Sequence, residues 1–169
     1  MGKKQPEMDR PSLITAMLAE MDAGKIPVCR SEYGDYLIKD VMDALDAAGY
    51  DTMMVDFSRA KDRQVLETAL GNPARAFKRK GTGRTAVVLD RIWLCEPMVL
   101  FWSVAKTEQL PEKGIPVIYC TDFYDERFCD SAVYTVLDLD MRDPDNRQPR
   151  YVPPPSHWDV KYGRAKKPK

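Results

Sequence analysis

Histidine is almost missing from this chain of 169 residues: His157 stands alone, in a proline-rich stretch. A Ser/His or Cys/His catalytic pair would need that stretch to fold back over a distant nucleophile. The four cysteines (Cys29, Cys95, Cys120 and Cys129) show no CxxC spacing and no histidine cluster, which removes the common zinc patterns. No apolar run approaches the ~20 residues that cross a bilayer. The first residues, MGKKQPEMDRPS, lack the apolar core of a secretory signal. Net charge is missing too, because 26 basic and 26 acidic residues cancel, so no global field draws the chain to nucleic acid or a lipid surface. A cytoplasmic protein with reduced thiols, no metal site and no membrane contact is the expectation.

What is present is a succession of short apolar runs separated by helical stretches. The central one is Thr85–Arg91, TAVVLDR, a buried strand that delivers a carboxylate to its exit. Before it come a first amphipathic helix from Pro11 to Met21 with Leu13, Met17 and Met21 on one face, and a strand at Lys25–Cys29. A helix over Tyr36–Ala48 with the stripe Leu37, Val41, Leu45 and Ala48 follows, then a strand at Asp51–Phe57 and helical sequence from Lys61 to Lys80 broken near Gly71-Asn72-Pro73. After it come a covering helix at Glu96–Gln109, a strand at Ile115–Cys120, a loop, and a strand at Ala132–Leu139. Strands alternating with helices predict an α/β domain. The expected form is three layers, with a mostly parallel five-stranded sheet and right-handed crossovers.

The division that follows is an N-terminal helix or arm (1–24), an α/β core (25–140) and an extended tail (141–169). The tail holds six of the 13 prolines, with three in a row at 153–155, and has no periodicity. Tyr151 and Trp158 favour its docking on the parent domain or on a second subunit. Basic residues gather at the ends (Lys3 and Lys4; Lys161, Arg164, Lys166, Lys167 and Lys169), and these read as solvated termini in preference to a nucleic-acid arm.

In open parallel sheets, ligands sit beyond the carboxyl ends of the strands. Three loops gather there: Arg30–Asp35, Asp90–Arg91 and Thr121–Asp122. This order of elements resembles the P-loop NTPases, more narrowly the AAA and STAND-like ATPase core, over about residues 25–140. The resemblance implies a phosphate loop after Val28-Cys29, an acid (Asp90) closing the third strand and a polar sensor (Thr121) after the fourth. It also implies a fourth strand lying between the first and third. A nucleotide- or anion-binding crevice would then draw on Arg30, Ser31, Gly34, Asp35, Asp90, Arg91, Thr121 and Asp122.

The loop chemistry departs from that family. With Gly34 as the last loop glycine, Asp35 occupies the lysine position and Tyr36 that of the magnesium-binding hydroxyl. Arg91 follows Asp90, where a glutamate would activate water, and a guanidinium cannot act as a base. Ordinary Mg-ATP hydrolysis is therefore not expected, and no cofactor is implied beyond a nucleotide that binds without it.

Plainer roles stand beside these. Asp90 either faces a ligand or closes a salt bridge with Arg91, Arg84 or Arg30. The Arg30-Ser31 loop is either an anion nest or an ordinary helix entry capped by Ser31 or Asp35. Cys29 and Cys120 read as small buried hydrophobes in preference to a redox pair. The acid pairs Asp122/Asp125 and Asp138/Asp140 read as solvated. Two function classes follow: a non-catalytic scaffold that meets protein partners or copies of itself, and a nucleotide- or phosphate-binding enzyme with an atypical loop.

Overall fold

The structure, a computed structural model, describes residues 7–31, 37–77, 84–91, 105–121, 130 and 132–146. Gly34, Asp35, Tyr36, Asp122, most of the helix expected at 96–109 and the tail from 147 onward lie outside the described residues. The elements are α1 (Arg10–Asp22), β1 (Ile26–Arg30), α2 (Ile38–Ala47), β2 (Tyr50–Asp56), α3 (Ala60–Gly71), α4 (Pro73–Ala76), β3 (Arg84–Asp90), β4 (Val117–Thr121) and β5 (Tyr134–Asp138). Short 3-10 turns lie at Pro111–Lys113 and Pro144–Asn146.

The five strands form one sheet in the order β2-β3-β4-β1-β5, and every pairing is parallel. The fourth strand thus lies between the first and the third. Alternation along each strand sends side chains to two separate cores. Val28, Met53, Val55, Val87, Leu89, Val117 and Tyr119 point to the side covered by α3 and by Thr107–Leu110. Cys29, Ala86, Val88, Ile118, Cys120 and Leu137 point to the side covered by α1 and α2. The handedness rule accounts for this split. The β1-to-β2 connection runs one way across the sheet and the β2-to-β3 and β3-to-β4 connections run the other, so right-handed crossovers put their helices on opposite faces.

Local chemistry sets the element ends. Asp9 caps α1 by accepting the Ser12 N–H at 2.8 Å, an anchor that also holds its carboxyl below the usual range. Gly24 and Gly49 adopt φ of +79° and +86° after α1 and α2, a left-handed geometry that ends a helix and that only glycine enters without strain. Asn72 caps α4, so the break expected near Gly71-Asn72-Pro73 falls between two helices. Pro27 is tolerated inside the sheet for a specific reason. The Ile26 N–H faces β5, so position 27 faces β4, whose pairing with β1 begins only at Val28.

The ends of the expected core are continuous with it. α1 contributes Leu13, Met17 and Met21 to the α1/α2-side core. Met8 adds a parallel bridge at Leu139, beyond the β5 edge. The first residues of the expected tail fold back as well: Asn146 is buried, its side-chain amide donates to the Asp140 carbonyl at 2.6 Å, and Arg10 grips both the Asn146 carbonyl and Asp40.

Candidate functional site

The carboxyl ends of β3, β4 and β1 lie side by side, and the described candidate residues end there. Register pairs Asp90 with Cys120, Cys120 with Cys29, and Thr121 with Arg30. The ladder continues one residue further, because the Ser31 N–H donates to the Thr121 carbonyl at 3.1 Å. Connections diverge here, since β1 feeds α2 on one face and β3 leads to Thr107–Leu110 on the other, which is where open α/β sheets leave a crevice.

Strand alternation sorts the candidates into two groups. Asp90, Cys120 and Ser31 belong to the α2 side of the sheet; Arg30 and Thr121 belong to the α3 side. Asp90, Ser31 and Thr121 are all buried. The Ser31 hydroxyl oxygen is enclosed and has no hydrogen-bond partner. Arg91, directly after Asp90, has φ of +57° and is the only non-glycine residue with positive φ among those described. A side chain in that region costs about 1 kcal/mol, and such strain concentrates at functional turns. Gly34, Asp35 and Asp122 lie outside the described residues.

The electrostatics of this edge are set by a partner that sequence reading assigned to solvent. Asp138, at the end of β5, is 5% exposed, in register with Arg30 on β1, and is not solvated. Arg30 donates to both of its carboxylate oxygens, Nε to Oδ1 at 2.5 Å and a terminal nitrogen to Oδ2 at 3.1 Å. A two-pronged guanidinium–carboxylate contact between neighbouring strands holds both groups in place. The signal for it was in the sequence, as a strand-end acid of the same kind as Asp90. It becomes legible only once β5 is known to flank β1. Asp140, the other half of that expected pair, is half-buried, and Arg142 beside it lowers its carboxyl from the usual range.

The neighbouring exits are likewise closed by local polar contacts. Asp56, ending β2, accepts from the Ser58 N–H and hydroxyl at 2.9 and 2.6 Å, and the Asp56 N–H donates to buried Asp62 at 2.9 Å. Arg84, considered as a partner for Asp90, instead donates to the Ala48 carbonyl at 2.8 Å and lies 4.3 Å from the centre of the Tyr50 ring. The first residue capping α2 is Leu37, which makes no side-chain cap, so Ser31 does not fill that role.

Cys29 and Cys120 are fully enclosed free thiols in register. Burial pushes the Cys29 thiol up to about 12. The Cys120 thiol is also raised, by burial first and then by Cys29 and Asp90 nearby. Thiols held protonated in this way are poor nucleophiles, which matches their reading as small hydrophobes. Among the described residues there is no group of three or more side chains suited to hold a metal ion, and no helix is long and apolar enough to cross a membrane.

A second concavity lies at the opposite, amino end of the sheet. It is an open groove of about 600 Å³ lined by Asn72, Pro73, Phe77, Arg84, Lys113 and Ile115, among others. Sequence reading did not single it out, because its walls come from separate segments, at Gly71–Phe77, Arg84–Thr85 and Lys113–Ile115, that only the β3–β4 pairing unites. Comparison with known proteins returns no matching family model and no matching curated relative.

Proposed function

We propose that this is a non-catalytic interaction protein: a cytoplasmic scaffold built on an α/β domain of the P-loop NTPase type that no longer hydrolyses nucleotide, and that acts through contact with protein surfaces. The observation that carries the reading is the Arg30–Asp138 pair. A phosphate-binding loop requires cationic and N–H donors directed at the anion. The cation that opens this loop is instead held in a two-pronged contact with a strand-end acid on its other side. The sequence departs in the same direction, with Asp35 in the position of the phosphate-binding lysine and Arg91 in that of the water-activating glutamate. The strand order β2-β3-β4-β1-β5 supports the resemblance in fold.

One observation favours the second reading, a nucleotide- or phosphate-binding enzyme. The Ser31 hydroxyl is buried without a hydrogen-bond partner at the mouth of the crevice, as a group awaiting a ligand would be. A thermal-shift titration separates the two. A ligand at 100 times its dissociation constant adds about 2.7 kcal/mol of stability. Under the scaffold reading, millimolar Mg-ATP, Mg-ADP and inorganic phosphate leave the melting temperature unchanged. An upward shift that Asp90→Asn and Ser31→Ala abolish would establish a nucleotide or phosphate site in the crevice and overturn the scaffold reading.

A further inference from the structure

β5 is the outermost strand at its side of the sheet, and the hydrogen bonds around it fix which of its backbone groups look outward. The Val133 carbonyl accepts from Ile26 and the Leu139 N–H donates to Arg30. Residues 133, 135, 137 and 139 therefore face β1, and residues 134, 136, 138 and 140 face away from it. Three of those four are engaged on the outer side. The Tyr134 N–H donates to the Asp130 carbonyl, the Asp138 carbonyl accepts from Met8, and the Asp140 N–H donates to the Met8 carbonyl, each at 2.8 Å. The Val136 N–H and carbonyl have no partner among the described residues. The opposite edge of the sheet is guarded, because the outward N–H of Asp56 at the end of β2 donates to Asp62. On β5, residues 132–137 (AVYTVL) carry none of the lysines, prolines or charges that blunt an open edge.

From this gap we infer that the outer edge of β5 receives a short extended segment of a partner protein, added as a sixth strand between Asp130 and Met8. The edge already accepts such a segment one step further on, where Met8 forms a parallel bridge with Leu139. The chain's own arm is not suited to continue along it. Two residues before Met8 stands Pro6, which has no N–H to give the Val136 carbonyl. A second copy pairing β5 against β5 about Val136 would need the space beside Asp138 and Asp140 that Met8 fills. The chemistry of the partner follows from the two faces of the edge. Val136 lies half-buried against the α3-side core, and on the other face Thr135 donates to Glu20 at 2.8 Å. The segment therefore alternates, with apolar side chains over Val136 and polar ones toward Thr135 and Glu20. Main-chain hydrogen bonds supply the affinity, and the alternate side chains supply the selectivity. The inference names a partner for the interaction reading above and rests on it.

Amide exchange on the full chain, followed by NMR, reads the edge directly. In the protein alone the Val136 amide is expected to exchange at least tenfold faster than that of Leu137, which faces β1. The probe is an end-blocked Lys-Val-Thr-Val-Lys peptide at millimolar concentration, which should slow Val136 exchange and shift its resonance. The same peptide N-methylated at both valines should do neither. Val136→Pro removes an N–H that faces outward, so it should abolish the response of the neighbouring resonances. If that variant does not fold, the methylated peptide decides alone. Val136 exchange as slow as that of Leu137 in the protein alone overturns the inference, as does a response that is absent or that survives methylation. Protection that appears only as protein concentration rises would make the occupant a second copy and overturns it too. The nucleotide titration reads the crevice instead, so this inference and the scaffold reading fail separately.

Discussion

The two ends of the sheet are built by different means. At the amino end, helices return to strands through glycines: Gly24 before β1, Gly49 before β2 and Gly114 before β4 all have positive φ. A Cβ added at any of them meets nothing within 4 Å, so what the glycine supplies is backbone freedom alone. At the carboxyl end, strands leave through side-chain contacts. Asp138 holds Arg30, Asp62 and Ser58 close the exit of β2, and Arg91 takes a left-handed turn that glycine does not relieve. One end depends on local conformation and the other on tertiary partners. The difference teaches where this domain can tolerate change.

The largest effect that would test this contrast is at the carboxyl end. Arg30→Ala leaves Asp138 nearly buried and without its guanidinium. Arg30 keeps about a quarter of its side chain in solvent (23%), so the expected loss is about 2–3 kcal/mol, below that of a fully buried pair. Urea unfolding measures it, and Arg30→Met with Asp138→Leu should recover most of the loss. A cost under about 0.5 kcal/mol would mean that the β1–β5 exit is held by the backbone ladder alone.

A smaller effect sharpens the same side of the comparison through pH. The Cys29 thiol titrates near 9 when exposed and is pushed up to about 12 in the fold. The unfolded chain therefore releases this proton first. Its contribution to stability is fully present below pH 9 and is lost as pH rises toward 12. By pH 10 that loss is about 1.4 kcal/mol. Cys29→Ala should flatten the alkaline limb of the stability curve, and Cys120→Ala, whose thiol is also raised, should flatten it further. An alkaline limb unchanged in both variants would show that these thiols are solvated in the native protein.

The smallest effects test the amino end against Arg91. Gly49→Ala places a methyl group in open space at φ +86°, so its cost is conformational, about 1 kcal/mol. Arg91→Gly relieves the left-handed backbone but also removes a side chain that makes contacts of its own, so a net change within about 0.5 kcal/mol is expected. Destabilisation beyond that by Arg91→Gly in a thermal melt would show instead that the Arg91 side chain anchors the crevice.

Much of the architecture was legible from one-dimensional pattern. The spacing of Leu13, Met17 and Met21 located α1, the stripe Leu37–Val41–Leu45 located α2, and the five apolar runs located five strands, each within about two residues of its observed ends. Periodicity reports which face of an element is buried, and glycine reports where a helix must stop, so both survive without knowledge of the neighbours. The site was less legible. Arg30 read as an anion ligand and Asp138 as solvated because each was judged in its own loop. The pair forms only because β5 lies beside β1, 108 residues away in sequence.

The sequence by itself determined the five strands, the helices α1, α2 and α3, and the apolar faces of these elements. Those are properties of residues and their spacing. Only the tertiary structure decided what the charges meet: Arg30 with Asp138, and Arg84 with the Tyr50 ring. Ion pairing acts over a few ångströms of space, and distance in space is set by strand order, which no local pattern encodes.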